Sequence, residues 1–232
     1  GSITSTVQVD PSGAFSIVTF RGGLTGAGAA TIGHGLSKAP VMIIFKGYAN
    51  LGGGDGNWWV GSDGLTSWNY LLRLDTTDVE LDKSGNGSMA SPTSTVFSVN
   101  NTDGLGAGSI DTIAYCFTDV EGYCKTGGYI GNGNADGTFV YTGHRPAFVM
   151  IKGVDVADSW FVLDTARDPS NEAVIYLQPN SSAADGEHAN IGINILSNGF
   201  KCTRASNALN GSGNDYVYLS MSHNPFQYAT AR

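Results

Sequence analysis

Apolar residues along this chain gather in short runs of strand length, broken by glycine, asparagine, aspartate and serine. Ala14-Phe-Ser-Ile-Val-Thr-Phe20 sets Phe15, Val18 and Phe20 in β-favouring company, and Thr138-Phe-Val-Tyr-Thr142 reads as its counterpart. Pro40 and Pro146 each open a continuous apolar run, the pattern of a strand covered on both faces. Ile113, Tyr115 and Phe117 alternate with smaller residues, the period of two that marks a half-buried strand. Asp103-Gly104, Asp136-Gly137, Asn198-Gly199 and Asn210-Gly211 accept positive φ and announce turns. Residues 154–166 come nearest to a helical period, and Trp160-Phe-Val-Leu163 resolves them as strand. An all-β chain is predicted.

The pattern occurs twice. Pro40-Val-Met-Ile-Ile-Phe-Lys46-Gly47 matches Pro146-Ala-Phe-Val-Met-Ile-Lys152-Gly153 at an offset of 106 residues. Trp58-Trp59-Val60 precedes Asp63 as Trp160-Phe161-Val162 precedes Asp164, at offsets of 102 and 101. Tyr70-Leu71 matches Tyr176-Leu177 at 106, and Asp111–Phe117 matches Asp215–Met221 at 104. Ordered matches with small changes in loop length predict two tandem, internally duplicated β-sandwich modules. The first repeat is placed at 3–124 and the second at 128–232, with Cys124-Lys-Thr-Gly-Gly128 as the joint.

Composition agrees with short strands and tight turns. Glycine is 33 of 232 residues, about twice the usual share, while charged residues are 14% against about 25% in a typical domain. A net charge of −8 with scattered Lys and Arg argues against nucleic acid and against an anionic bilayer. No apolar run reaches the ~18 residues of a span, so no membrane insertion is expected. The Gly1-Ser2 start reads as the scar of an excised fragment, with no signal peptide expected. Cys116, Cys124 and Cys202 form no Cys-x-x-Cys pair; buried free thiols and assembly in a reducing cytoplasm are expected.

Candidate chemistry is sparse. Glycoside hydrolysis pairs two carboxylates about 5–9.5 Å apart, and the chain holds only four glutamates, Glu80, Glu121, Glu172 and Glu187. Asp63/Asp164 and Asp111/Asp215 recur in both halves, which suits turn or capping residues better than one active site. There is no nucleophile elbow and no zinc-protease motif, and His34, His144, His188 and His223 lack ligand spacing. No catalytic residue, metal or cofactor is therefore expected. Asp164, Asp168 and Asn171, and separately Asp155 and Asp158, offer oxygens suited to calcium but without a calcium loop's spacing. Asx-turns are the simpler reading.

Sugar recognition needs aromatic faces with amides and carboxylates beside them. Asp55, Asn57, Trp59, Trp68 and Asn69 form the candidate ligand-binding set. One of Trp58 and Trp59 recurs as Trp160 and is assigned to the core, as are Met42 and Met150. Trp68 has no counterpart in the second half and stands beside Ser67 and Asn69. It is the candidate exposed anchor, with a core or interface role as the alternative.

Longer stretches carry a resemblance. Gly128-Tyr-Ile-Gly-Asn-Gly-Asn-Ala-Asp-Gly-Thr-Phe-Val-Tyr-Thr-Gly143, Trp160-Phe-Val-Leu-Asp-Thr-Ala-Arg-Asp168, Leu196-Ser-Asn-Gly-Phe-Lys201 and Asn224-Pro-Phe-Gln-Tyr-Ala-Thr-Ala-Arg232 resemble a repeated module of tailed bacteriophage tail-fibre and virion proteins, of marine and cyanobacterial phage type. Phe15–Phe20, Gly33-His-Gly-Leu36 and Val120-Glu-Gly-Tyr123 extend it to the first half. His144, where an aromatic residue is expected, and the insert Gly52-Gly-Gly-Asp-Gly56 depart from it. The resemblance implies a receptor-binding fragment near the carboxy-terminal end of a fibre. It would sit in the virion after assembly in the host cytoplasm, and would recognise a host cell-surface glycan or envelope protein without catalysis. Other virion tail proteins are implied partners, and a homotrimer is implied too, though no heptad or fibrous repeat supports one. A polysaccharide depolymerase and a structural connector are the alternatives. No binding residues come with the resemblance.

Overall fold

A computed structural model describes residues 1–50 and 56–223. Among them are eighteen strands and one 3-10 turn at Ser84–Asn86, so the chain is all-β. The first nine strands are β1 (Ser5–Val9), β2 (Phe15–Arg21), β3 (Ala29–Gly33), β4 (Met42–Ala49), β5 (Trp58–Ser62), β6 (Tyr70–Arg73), β7 (Leu81–Asp82), β8 (Val96–Asn100) and β9 (Asp111–Phe117). The others are β10 (Cys124–Ile130), β11 (Phe139–Tyr141), β12 (Phe148–Gly153), β13 (Phe161–Asp164), β14 (Ile175–Leu177), β15 (Gly186–Glu187), β16 (Ile193–Leu196), β17 (Gly199–Cys202) and β18 (Asp215–Met221). Two compact units result: the first holds residues 1–74 and 80–118, the second residues 75–79 and 119–232.

Each unit is an unequal sandwich. In the first, a seven-stranded sheet ordered β1-β2-β9-β4-β5-β6-β7 faces the pair β3-β8. Val18, Phe20, Ile43, Phe45, Trp59 and Leu71 from the large sheet meet Ile32, Phe97 and Val99 from the small one. The second unit has a six-stranded sheet, β10-β18-β12-β13-β14-β15, and the triplet β11-β17-β16. Its core joins Val149, Ile151, Phe161, Leu163 and Tyr218 to Val140, Ile195 and Phe200. The two proline-led runs lie at the centres of the large sheets. Met42–Phe45 and Val149–Gly153 are buried at every position, as a strand covered on both faces requires.

The two large sheets share one strand order, β2-β9-β4-β5-β6-β7 against β10-β18-β12-β13-β14-β15, and corresponding registers. Met42 faces Phe117 and Ser62; Phe148 faces Met221 and Asp164. Register sets the correspondence residue by residue, keeps the expected tryptophan match and moves that of Tyr70-Leu71. Trp58 matches Trp160 and Trp59 matches Phe161. Val60 pairs with Leu72 and Val162 with Leu177, so Leu71 matches Tyr176, at an offset of 105 and not 106. A one-residue slip matters in a strand, because it exchanges the faces.

Two further expectations are corrected. Cys124-Lys-Thr-Gly-Gly128 is not a joint but the start of β10, paired with β18 along its whole length, and the second unit begins at Asp119. The counterpart of β2 is therefore β10, while Thr138–Thr142 contains β11, which pairs with β17 as β3 pairs with β8. In β9 the expected period of two is present: Ala114 and Cys116 are in the core, and the larger Ile113 and Tyr115 face away from it. Core space opposite β9 is taken by the Phe20, Phe45 and Phe97 rings.

Candidate functional site

The sites picked out in the first unit are mostly occupied by the protein itself. Trp59 is 1% exposed; its indole N–H donates to the Asp103 carbonyl at 2.8 Å. Arg73 and Lys83 place their charges 4.9 and 4.7 Å from its ring centre. Trp68 is 8% exposed, donates to Asp63 Oδ1 at 2.7 Å, and lies against Gly61. The expectation of an exposed anchor is thus corrected, and the register gives the reason. Gly61 matches Leu163 in the second unit, so the Trp68 ring fills the volume that a leucine side chain fills there. Asn69 accepts the Met89 N–H at 2.7 Å and donates to Ser88 Oγ, which ties it to the neighbouring loop. Asn57 is half-buried and engaged, and Asp55 lies outside the described residues.

The second unit has an open cleft of about 200 Å³ lined by Asp158, Phe161, Tyr176, Gln178, His188, Asn190, Ile191, Ser206 and Ala208. Strand pairing builds its floor. Phe161 on β13 is buried and meets the half-buried Tyr176 ring on β14 edge-on, with centroids 5.3 Å apart. Tyr176 faces Gly186 across the β14–β15 ladder, where the first unit has Leu71 facing Leu81. A glycine there leaves the outer side of the Tyr176 ring uncovered by any cross-strand side chain.

The polar rim is held by backbone bonds. Asn180 accepts the Trp160 N–H at 2.8 Å and donates to Ser159 Oγ, which fixes the Asp158 turn against the residues after β14. Asp158 Oδ1 accepts the Ser159 N–H at 2.7 Å. Behind this turn the buried Lys152 ammonium donates to the carbonyls of Gly153 and Val156, and burial pulls its pKa down to about 8. His188 Nδ1 accepts the Asn190 N–H at 3.2 Å, so a neutral ring carries its proton on Nε2 as a donor. Arg204 supports the same turn through the Ala189 carbonyl, with its own charge paired to Glu172.

The oxygens weighed for calcium are engaged by backbone N–H groups: Asp164 by Ala166 and Arg167, Asp168 by Ser170, Val174 and Ile175, Asn171 by Ile195 and Asp155 by Asp215. Asp164 and Asp168 are the Asx-type turns expected. Among the described residues no three His, Cys, Asp or Glu side chains gather to hold a metal ion. His144 Nε2 meets Ser220 Oγ at 3.0 Å, with both residues sealed in the core at 1% and 0% exposure. Burial pushes the thiols of Cys116 and Cys124 up to about 12 and that of Cys202 to about 11. No described helix is long and apolar enough to cross a membrane.

Sequence reasoning missed the cleft. In the sequence Tyr176 stands out only as half of a Tyr-Leu pair that repeats Tyr70-Leu71. The missing signal was the exchange of Leu81 for Gly186, which only the register reveals.

Residues 1–225, a stretch that takes in both units, match the family DUF7483, described as a domain of unknown function. No curated protein and no solved structure matches the chain.

Proposed function

This chain belongs to the DUF7483 family of domains of unknown function, and we propose that it is a non-enzymatic recognition module whose second unit receives one residue of a glycan. The observation that carries this reading is the cleft. It joins an aromatic floor, for the C–H face of a sugar ring, to a rim of Gln178, His188, Asn190 and Ser206, which supply donors and acceptors for hydroxyls. Its volume of about 200 Å³ falls below the roughly 300–1,000 Å³ of sites that enclose a drug-sized ligand. That size suits a single sugar unit of a longer chain.

Recognition is favoured over cleavage because Asp158 is the one carboxylate lining the cleft among the described residues, and glycoside hydrolysis generally employs two. The setting, a phage tail fibre adsorbing to a bacterial surface, rests on the resemblance of the sequence motifs alone. Binding of the full chain to a glycan array and to whole bacterial cells tests the proposal, with Tyr176→Ala as the site variant. Tyr176→Ala is expected to lower binding at least tenfold. Release of reducing ends from a bound polysaccharide would replace this reading with the depolymerase. Retention of full binding by Tyr176→Ala would move the site elsewhere.

A further inference from the structure

We infer that the sugar taken by the cleft carries a positively charged amine, which the Asp158 carboxylate and the aromatic floor receive together. This rests on the reading of the cleft as a sugar site and adds the charge of its ligand.

The argument comes from the first unit. Register matches Trp59 to Phe161 and Leu71 to Tyr176. One step further along the same ladders, Arg73 matches Gln178 and Lys83 matches His188. In the first unit, then, the place that corresponds to the cleft is filled from within. Two cations, Arg73 and Lys83, stand within 5 Å of the centre of its aromatic floor, Trp59. In the second unit both cations are replaced by the shorter Gln178 and His188; Phe161 stays buried, and the half-buried Tyr176 ring is the exposed part of the floor. The aromatic floor kept its place while its built-in cations left. A cation from outside finds the same kind of attraction at the exposed part of the Tyr176 ring.

Charge around the cleft points the same way. Among the described residues its lining includes Asp158 and no Lys or Arg. Arg204 is paired to Glu172, and the buried Lys152 ammonium donates to the Gly153 and Val156 carbonyls with Asp158 among the carboxylates around it. Asp78 and Asp155 add further negative charge near Lys152, and the whole chain carries a net charge of −8. Such surroundings favour an ammonium group and disfavour a carboxylate, sulfate or phosphate.

The test is an array of glycans printed in pairs, each as the free amine and as its N-acetyl form, probed with the full chain at about pH 7, below the usual amine range. The free-amine member is expected to bind at least tenfold tighter, and added salt is expected to narrow the gap. Asp158→Asn keeps the acceptor for the Ser159 N–H and should bring the ratio toward one. The double variant Gln178→Arg/His188→Lys copies the first unit; with its melting temperature retained, it should lose the amine binding. Equal binding of the paired forms, or preference for the N-acetyl form, overturns the charge assignment and leaves the sugar reading standing. Binding to no member of any pair overturns both.

Discussion

Gly61 has no side chain, and the Trp68 ring comes within 2.9 Å of where its Cβ would stand. The indole completes the core there, so Trp68→Ala is expected to cost about 3–5 kcal/mol in urea unfolding, the usual loss for a buried aromatic. Gly61→Leu alone should also destabilise, because its side chain meets the indole. Combined with Trp68→Ala it should recover part of the loss, since Leu163 fills the matching volume in the second unit; a purely additive pair would refute that match. The buried thiols make a second residue-scale prediction. With Cys116 and Cys124 held near 12 and Cys202 near 11, native protein should leave a thiol reagent unreacted, and three thiols should titrate on unfolding. Reaction of any thiol in the folded protein, as fast as in the unfolded chain, would contradict the burial.

At the scale of strands, glycine decides more by closeness than by turning. Asn198-Gly199 reads in sequence as a turn dipeptide, yet Gly199 is the first residue of β17, where a Cβ would stand 2.1 Å from the Val140 carbonyl. Gly104 is the contrasting case, with a φ of 79° as its Asp-Gly context suggests. Gly199→Ala is therefore expected to push β11 off β17. Hydrogen exchange should show faster loss of protection at Phe139–Tyr141 than in β18; unchanged protection would refute the close approach. The same contrast explains what the sequence could reveal. Proline-led runs and period-two segments located most strands, because burial acts on each residue locally. Pairing partners were less legible: Cys124–Gly128 has a linker's composition but sits at the edge of a sheet, and the cleft depends on Gly186 facing Tyr176 from another strand.

For the whole molecule, each unit buries one histidine. Desolvation lowers the pKa of His34 in the first unit and takes that of His144 in the second down to about 4. Both stay neutral in the fold while the unfolded chain takes up protons near 6.5, so acid favours unfolding. Stability should be fully present above about pH 6.5 and fall between there and about 4, by on the order of 3 kcal/mol for His144. Calorimetric scans across that range check the sign, and His144→Phe should flatten the slope. A melting temperature that rises on acidification would contradict the burial of both rings.

The second unit is discontinuous along the chain, since residues 75–79 belong to it although they lie within the first unit's sequence. On the ribosome those five residues emerge long before Asp119. They must wait, in place but without their neighbours, until the rest of that unit has been made. A polypeptide stopped at Thr118 strands them, and one started at Asp119 lacks them. Neither half can be lifted out by a single cut and grafted elsewhere intact.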